Sequence, residues 1–275
     1  MERKAGPFFY IFLVTFIFVV MFPFIWVFLS SIKPPSELFG AEAFNWFTDH
    51  PSLKNYASVF FDHPFLTYLK NSFIVSSVTT IYTVFIASFA AYAIARLEFR
   101  GKAVILGLVL SVSMFPQIAT LSPIYIILKN LGLTNSYLGL IIPYTTITLP
   151  LSIWILVTFF KKIPHDLEEA AKIDGASLMQ TYWRIIFPLA VPGIFTTAIL
   201  AFIAAWNEFL YALTINTVQE YKTVPVGIAM FQGQYTIPWG EISAATVIVT
   251  IPLVIMVLIF QKRIVSGLTS GSVKE

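Results

Sequence analysis

Two short stretches hold most of the side chains able to do specific chemistry. Five charged groups fall between Asp166 and Asp174, inside the segment KKIPHDLEEAAKIDGASLMQTYWRIIFP at residues 161–188. Pro164 suits a first helical turn, and Asp166, Glu168 and Glu169 follow it, where carboxylates favour the positive end of a helix dipole. Leu167, Ala170, Ala171 and Asp174 recur on one face, and Gly175 supplies the left-handed residue that stops a helix. A second helix, about Leu178 to Phe187, is expected to lead up to Pro188 and Pro192. A hairpin with a small alanine face and a tight Asp174–Gly175 corner suits the close approach of another protein's backbone; an amphipathic hairpin lying on a membrane surface is the other reading. The second stretch is Trp206, Asn207 and Glu208. A ring face, an amide and a carboxylate are the groups that hold sugars. Glu208 is the one acid expected inside an apolar span, where an ionisable group faces a cavity or a partner. It either lines a pathway or subunit contact, or sits near the outer interface bonded to solvent or backbone.

Catalysis is not expected. A phosphate-binding loop needs GxxxxGK[ST], because backbone N–H groups and a lysine must cradle the phosphates. The only Gly-Lys pair, Gly101–Lys102, is followed by Ala103 and lacks the earlier glycine. His50, His63 and His165 have no metal-ligand spacing and read as solvated loop residues. There is no cysteine, which excludes a disulfide-stapled fold or a thiolate metal site.

The elements that must position these residues follow from composition. Of 275 residues, 57% are hydrophobic and 11% charged, and an ordinary soluble domain carries roughly 25% charged residues. The mean hydropathy is +0.82. One soluble core cannot hide so much apolar surface, and 16% aromatic content excludes a disordered chain. The chain is therefore expected to be an all-α integral membrane protein. A bilayer core takes about 20 apolar residues per helix. Six spans are expected: Phe8–Ser31, about Ser72–Ala95, Ala103 past Pro116 towards Leu128, Tyr137–Phe160, Leu189–Leu213 and about Ile242–Phe260. Pro116 and Pro123 predict a kinked or broken third span. Phe8, Phe9, Phe12 and Phe16 read as lipid-facing surface.

Twelve of the 17 cations lie on the side of the two termini: Arg3, Lys4, Arg96, Arg100, Lys102, Lys161, Lys162, Lys172, Arg184, Lys262, Arg263 and Lys274. The positive-inside rule puts that side in the cytoplasm. Residues 32–71 and 214–241 are then external loops, 161–188 is a cytoplasmic insertion, and 264–275 is a cytoplasmic tail. The net charge of +3 is a topology signal and needs no nucleic-acid partner.

The run Glu169-Ala170-Ala171, Gly175, Ile185, Phe187-Pro188 resembles the EAA signature of ABC-importer permeases, with Phe187 where the family usually has leucine. The likeness extends along most of the chain. Ser31-Ile32-Lys33-Pro34, Asn55-Tyr56, Asn71-Ser72, Ala91–Arg96, Leu131-Gly132-Leu133 and Leu138-Gly139-Leu140 are similar to family landmarks. Trp206-Asn207-Glu208-Phe209 resembles the WN[DE]F of sugar importers, and Gly267–Gly271 is similar to the tail of the maltose-type second permease, the maltose-G-like subunit.

The resemblance implies a single type I importer transmembrane domain over 1–275, with a core at about 68–263, in the inner or plasma membrane. Glu169, Ala170, Ala171, Asp174 and Gly175 would dock ATP-binding subunits. Trp206, Asn207 and Glu208 would belong to the translocation pathway or the permease interface, and Gln232, Gly233 and Gln234 would contact an extracytoplasmic sugar-binding protein. A homologous maltose-F-like permease and two ATPase subunits would complete the assembly, with ATP and Mg²⁺ bound in those subunits and no cofactor in this chain. A di- or oligosaccharide is the expected cargo, with glycerol phosphate as an alternative. An ion-coupled secondary transporter would need coupling-ion residues at mid-membrane and often an internal repeat, and one acid is all that is visible.

Overall fold

A chain in lipid must satisfy its own backbone hydrogen bonds, and long apolar runs do so as helices. In the computed structural model, which describes residues 6–233 and 236–269, every described regular element is helical. These are α1 (Pro7–Ser31), α2 (Lys54–Phe61), α3 (Phe65–Arg96), α4 (Lys102–Val112), α5 (Gln117–Asn130) and α6 (Tyr137–Lys162). Then come α7 (Asp166–Ile173), α8 (Leu178–Thr181), α9 (Phe187–Trp206), α10 (Leu210–Ile215), α11 (Val224–Ala229) and α12 (Trp239–Thr269). Among the described residues, five stretches are long and apolar enough to cross a membrane: α1, α3, α6, the continuous helix Leu178–Trp206, and Trp239–Gln261 within α12. Phe8, Phe9, Phe12 and Phe16 are all exposed, as lipid-facing residues would be.

The expected third span is broken. α4 and α5 meet at 91°. Pro116 lacks an N–H and pushes Phe115 out of the helical region, so the helix stops there. Pro123 lies inside α5 without ending it.

The fifth span differs from expectation at both ends. It begins at Leu178 and stops at Trp206 instead of running from Leu189 to Leu213. The separate helix expected at Leu178–Phe187 joins α9 through a π-helical turn at Tyr182–Ile186, in which the Phe187 N–H reaches back to the Tyr182 carbonyl. Pro188 cannot donate, and its ring crowds the carbonyl four residues earlier. A wider turn ahead of it accommodates both without ending the helix. The second span also starts earlier than expected: residues 65–71 of the expected loop 32–71 are the first turns of α3.

The chain divides into two compact units, residues 1–66 with 227–252 and residues 67–226 with 253–275. In the first, the Asn55 amide donates to the carbonyls of Ser31 (2.9 Å) and Lys33 (2.8 Å). Buried Lys33 donates to the Ala43 and Asn45 carbonyls and lies over the Trp26 ring. His63 is not a freely solvated loop residue. Its ring stacks on Phe231 at 3.8 Å, and its Nε2 lies 2.9 Å from Glu241, a first-turn acid of α12 that also accepts from Ser58.

The second unit has two apolar clusters. One gathers Ala87, Ala91, Leu156, Phe160, Ile186 and Ala190, and the other Val75, Leu140, Tyr144, Tyr211, Ile215 and Val226. α6 packs along α9, and Gly193 permits the close approach, since a Cβ there would overlap the Phe159 ring. Gly193→Ala is therefore expected to destabilise the chain by about 1–3 kcal/mol, the usual effect of one extra carbon in a filled core. A lowered thermal midpoint in detergent checks this. The hydroxyls of Thr83 and Thr148 join α3 to α6 at 2.7 Å.

Candidate functional site

The corner at Gly175 is built by local rules. α7 carries Asp166, Glu168 and Glu169 in its first turn and Lys172 in its last, the order the helix dipole favours. Gly175 has φ +77°. Its N–H bonds the Lys172 carbonyl (3.1 Å), and the Ala176 N–H bonds the Ala171 carbonyl (2.9 Å). These paired bonds close a helix on a left-handed residue. The next helix starts at once. The Ser177 hydroxyl accepts from the Gln180 N–H, and the Gln180 side chain accepts from the Ser177 N–H at 2.8 Å. This capping box holds the entry to α8, so the corner has little slack on either side.

Its outer surface is apolar with a charged edge. Glu169, Ala170, Asp174 and Gly175 are exposed. Leu167, Leu178 and Met179 stand exposed with them, and Ile173 is 86% exposed. Open apolar side chains grouped on a hairpin tip suit contact with another surface. The face expected from Leu167, Ala170, Ala171 and Asp174 is divided: Ala171 is buried, and with Glu168, three residues earlier, it forms an inward stripe. Ala171 therefore supports the surface from beneath.

The inward stripe ends in a charge pair. Arg96, the last residue of α3, and Glu168 are both 7% exposed. Arg96 Nε lies 3.2 Å from Glu168 Oε1, and Arg96 Nη2 donates to the Ile163 carbonyl just before α7. Tyr92, one turn back on α3, lies close enough to interact with both charges. Tyr182, in the π turn, donates to Ser88 on α3 at 2.8 Å and stacks on Phe89. The sequence alone gives neither Arg96 nor Glu168 a partner: Arg96 reads as a topology cation and Glu168 as a dipole acid. The available signal was an arginine closing a span and an acid in the charged insertion.

At the other end of the helix Leu178–Trp206, the Trp206-Asn207-Glu208 group sits at a break. Trp206 is buried and stacks on Phe202 at 5.6 Å, so its ring is not offered to a ligand as expected. Asn207 is exposed, and its amide donates to the Ile203 carbonyl. Glu208 is half-buried and accepts from the N–H groups of Tyr211 (2.9 Å) and Ala212 (3.2 Å). It is the cap of α10, and its charge is met by the backbone. Buried Tyr144 lies beside it. A cleft of about 420 Å³ between α4, α6 and α9 is lined mainly by apolar side chains such as Leu110, Ile147 and Leu200, with Ser113, Thr148 and Ser152.

The N-terminal end of α3 holds a clamp that the sequence shows only as a landmark. The Asn71 amide donates to the carbonyls of Glu220 (2.7 Å) and Lys222 (2.9 Å), and its oxygen accepts from Tyr137. The Ser72 hydroxyl accepts from the Val224 N–H. Gln232 and Gly233 are exposed in the first unit and stand apart from this clamp in sequence. Gln234 lies outside the described residues.

The chain is similar to known proteins. The family described as "Binding-protein-dependent transport system inner membrane component" matches residues 83–270. The trehalose/maltose transport system permease protein MalG of Thermococcus litoralis is 49% identical, over 93% of this chain and 92% of that one. The sulfoquinovosyl glycerol transport system permease protein SmoH of Agrobacterium fabrum is 44% identical, over 92% of this chain and 89% of that one. A chain of a bacterial ABC transporter involved in the import of the acidic polysaccharide alginate shares the fold, with a TM-score of 0.80 at 21% identity over 95% of this chain and 98% of that one. With the helix set, the apolar hairpin tip and these likenesses in agreement, the chain belongs to the family of binding-protein-dependent transport inner-membrane components.

Proposed function

We propose that this chain is one permease of an ABC importer for a sugar, driven by ATPase subunits that dock on the α7–α8 corner. The carrying observation is that corner: Glu169, Ala170, Asp174 and Gly175 exposed beside open apolar side chains, on a turn fixed by backbone bonds. A stiff, apolar tip suits a cleft on a second protein. ATP and Mg²⁺ are held in those partner subunits, and this chain binds neither. A homologous permease completes the pathway, and an extracytoplasmic binding protein delivers the cargo.

The finer topology belongs to the same reading. The bent pair α4–α5 counts as the third of six spans, both termini face the cytoplasm, and 161–188 is the coupling insertion. The cation distribution supports that orientation. Residues 214–241, with Gln232, Gly233 and Gln234, face the binding protein. The cargo is a small glycoside of disaccharide size, supported by the trehalose/maltose and sulfoquinovosyl glycerol relatives. Asn207, exposed at the break after α9, is the member of the Trp206–Glu208 group best placed to meet it.

Reconstituted in liposomes with its partner permease, ATPase subunits and binding protein, the chain is expected to take up labelled trehalose or maltose only with ATP inside. Uptake of either sugar by this chain alone, without ATP, would overturn the reading.

A further inference from the structure

α3 is the element to which both limbs of the α7–α8 hairpin are fixed. The first limb is held by charge. Glu168 on α7 and Arg96 on α3 are buried against each other, and Arg96 also holds the Ile163 carbonyl at the entry to α7. The second limb is held by Tyr182, which donates to Ser88 and packs its ring on Phe89 and Tyr92. Two buried opposite charges cannot separate without leaving each unpaired in a poor solvent for ions, so α7 and the end of α3 move together.

The pair is also sparsely bonded. Arg96 Nε and Nη1 and Glu168 Oε1 have no hydrogen-bond partner among the described residues beyond their mutual approach. It is therefore held by charge, and removing either charge leaves little in its place. At its far end, α3 carries Asn71 and Ser72, which hold the backbone of residues 220–224. A helix of 32 residues spans about 48 Å at 1.5 Å per residue. It joins the hairpin to the loop expected on the opposite side of the membrane.

We propose that α3 is the transmission rod of this permease, with Arg96 as the positioning residue that makes the hairpin and α3 one rigid body. This rests on the docking reading above and goes beyond it. The force entering at the Asp174–Gly175 corner passes to α3 as well as to the helix Leu178–Trp206, and through α3 to the loop at 220–224. Asn71 is the positioning residue at the outer end.

The chain has no cysteine, so two placed for spin labels at exposed Glu98 beyond α3 and exposed Asp166 on α7 are its only labelling sites, in an importer whose other subunits carry no accessible cysteine. The assembled importer is measured without nucleotide and with a non-hydrolysable ATP analogue. With Arg96 intact, the label distance is expected to be the same in both states. Arg96→Gln is expected to broaden the distance and make it shift with nucleotide, and Arg96→Lys is expected to restore the unshifted distance. Nucleotide-driven ATPase coupling is expected to fall by about tenfold in Arg96→Gln, within the range spanned by linked sites. Glu168→Gln gives the same reading if Arg96→Gln fails to assemble. A distance in these neutral variants that stays narrow and independent of nucleotide overturns the proposal. Co-purification separates it from the docking reading: ATPase subunits that bind the unaltered chain and Arg96→Gln alike leave docking intact, whereas ATPase subunits that fail to bind the unaltered chain overturn docking and transmission together.

Discussion

Asp174→Phe with Gly175→Leu leaves the chain folded in the membrane and abolishes cargo-stimulated ATP hydrolysis. Both positions are exposed, and a Cβ at Gly175 meets no atom within 4 Å, so no core packing is disturbed. The structural penalty is the left-handed backbone at φ +77°, about 1–2 kcal/mol for a residue with a side chain. The hairpin survives it, because Ser177 and Gln180 cap α8 independently and Glu168 and Tyr182 tie the two limbs to α3. The expected functional loss is large if, as proposed, the tip is where the ATPase subunits dock. Two bulky side chains on a corner that must enter a cleft hold the partner off by several ångströms, and a docking contact so displaced transmits nothing. Transport is expected to fall to background, with the monodisperse complex and thermal midpoint near those of the unaltered chain. Gly175→Ala, which adds strain with little bulk, is expected to lose only part of the coupling. Normal sugar-stimulated ATP hydrolysis in the double variant would refute docking at this corner.

What the sequence made legible is what periodicity and single residues specify. Long runs without charge mark the spanning helices, Pro116 marks the break seen as the 91° bend, and Gly175 marks the left-handed corner. The failures share another cause. Pro188 signals a helix end by local rules, yet the π turn at Tyr182–Ile186 lets the helix pass, and no local rule sets which outcome wins. The pairs Arg96–Glu168, His63–Glu241 and Asn71 with Glu220 and Lys222 join residues far apart in the chain. Each member has a sufficient local reading as a topology charge, a loop histidine or a loop amide, and only packing brings them together. Ala171 shows the same limit on a smaller scale. Its helical face is legible as small, but which part of that face points inward depends on where α3 lies.

Glu208→Leu is expected to destabilise the chain strongly, and Glu208→Gln only modestly. Each carboxylate oxygen takes one donor, from Tyr211 and Ala212, and both residues are buried in the cluster with Tyr144, Ile215 and Val226. Leucine strands both N–H groups, at about 1–3 kcal/mol each when buried, and removes a negative charge from the positive end of α10. Tyr211 also bonds Thr120 on α5 at 2.7 Å, so a loosened α10 loosens α5, the second half of the bent pair, as well. A fall in thermal midpoint and in yield of the assembled complex follows. Glutamine keeps one acceptor, so one of the two bonds survives and one N–H is stranded, at about 1–3 kcal/mol, half the loss expected for leucine. Transport separates the two roles open to this acid. A cap alone predicts that Glu208→Gln transports in proportion to the folded complex recovered. Transport lost in a Glu208→Gln complex that melts like the unaltered one would mean that the negative charge itself acts on the pathway. A Glu208→Leu chain as stable as the unaltered one would show that the cap contributes nothing, and would return Glu208 to the pathway or the permease contact.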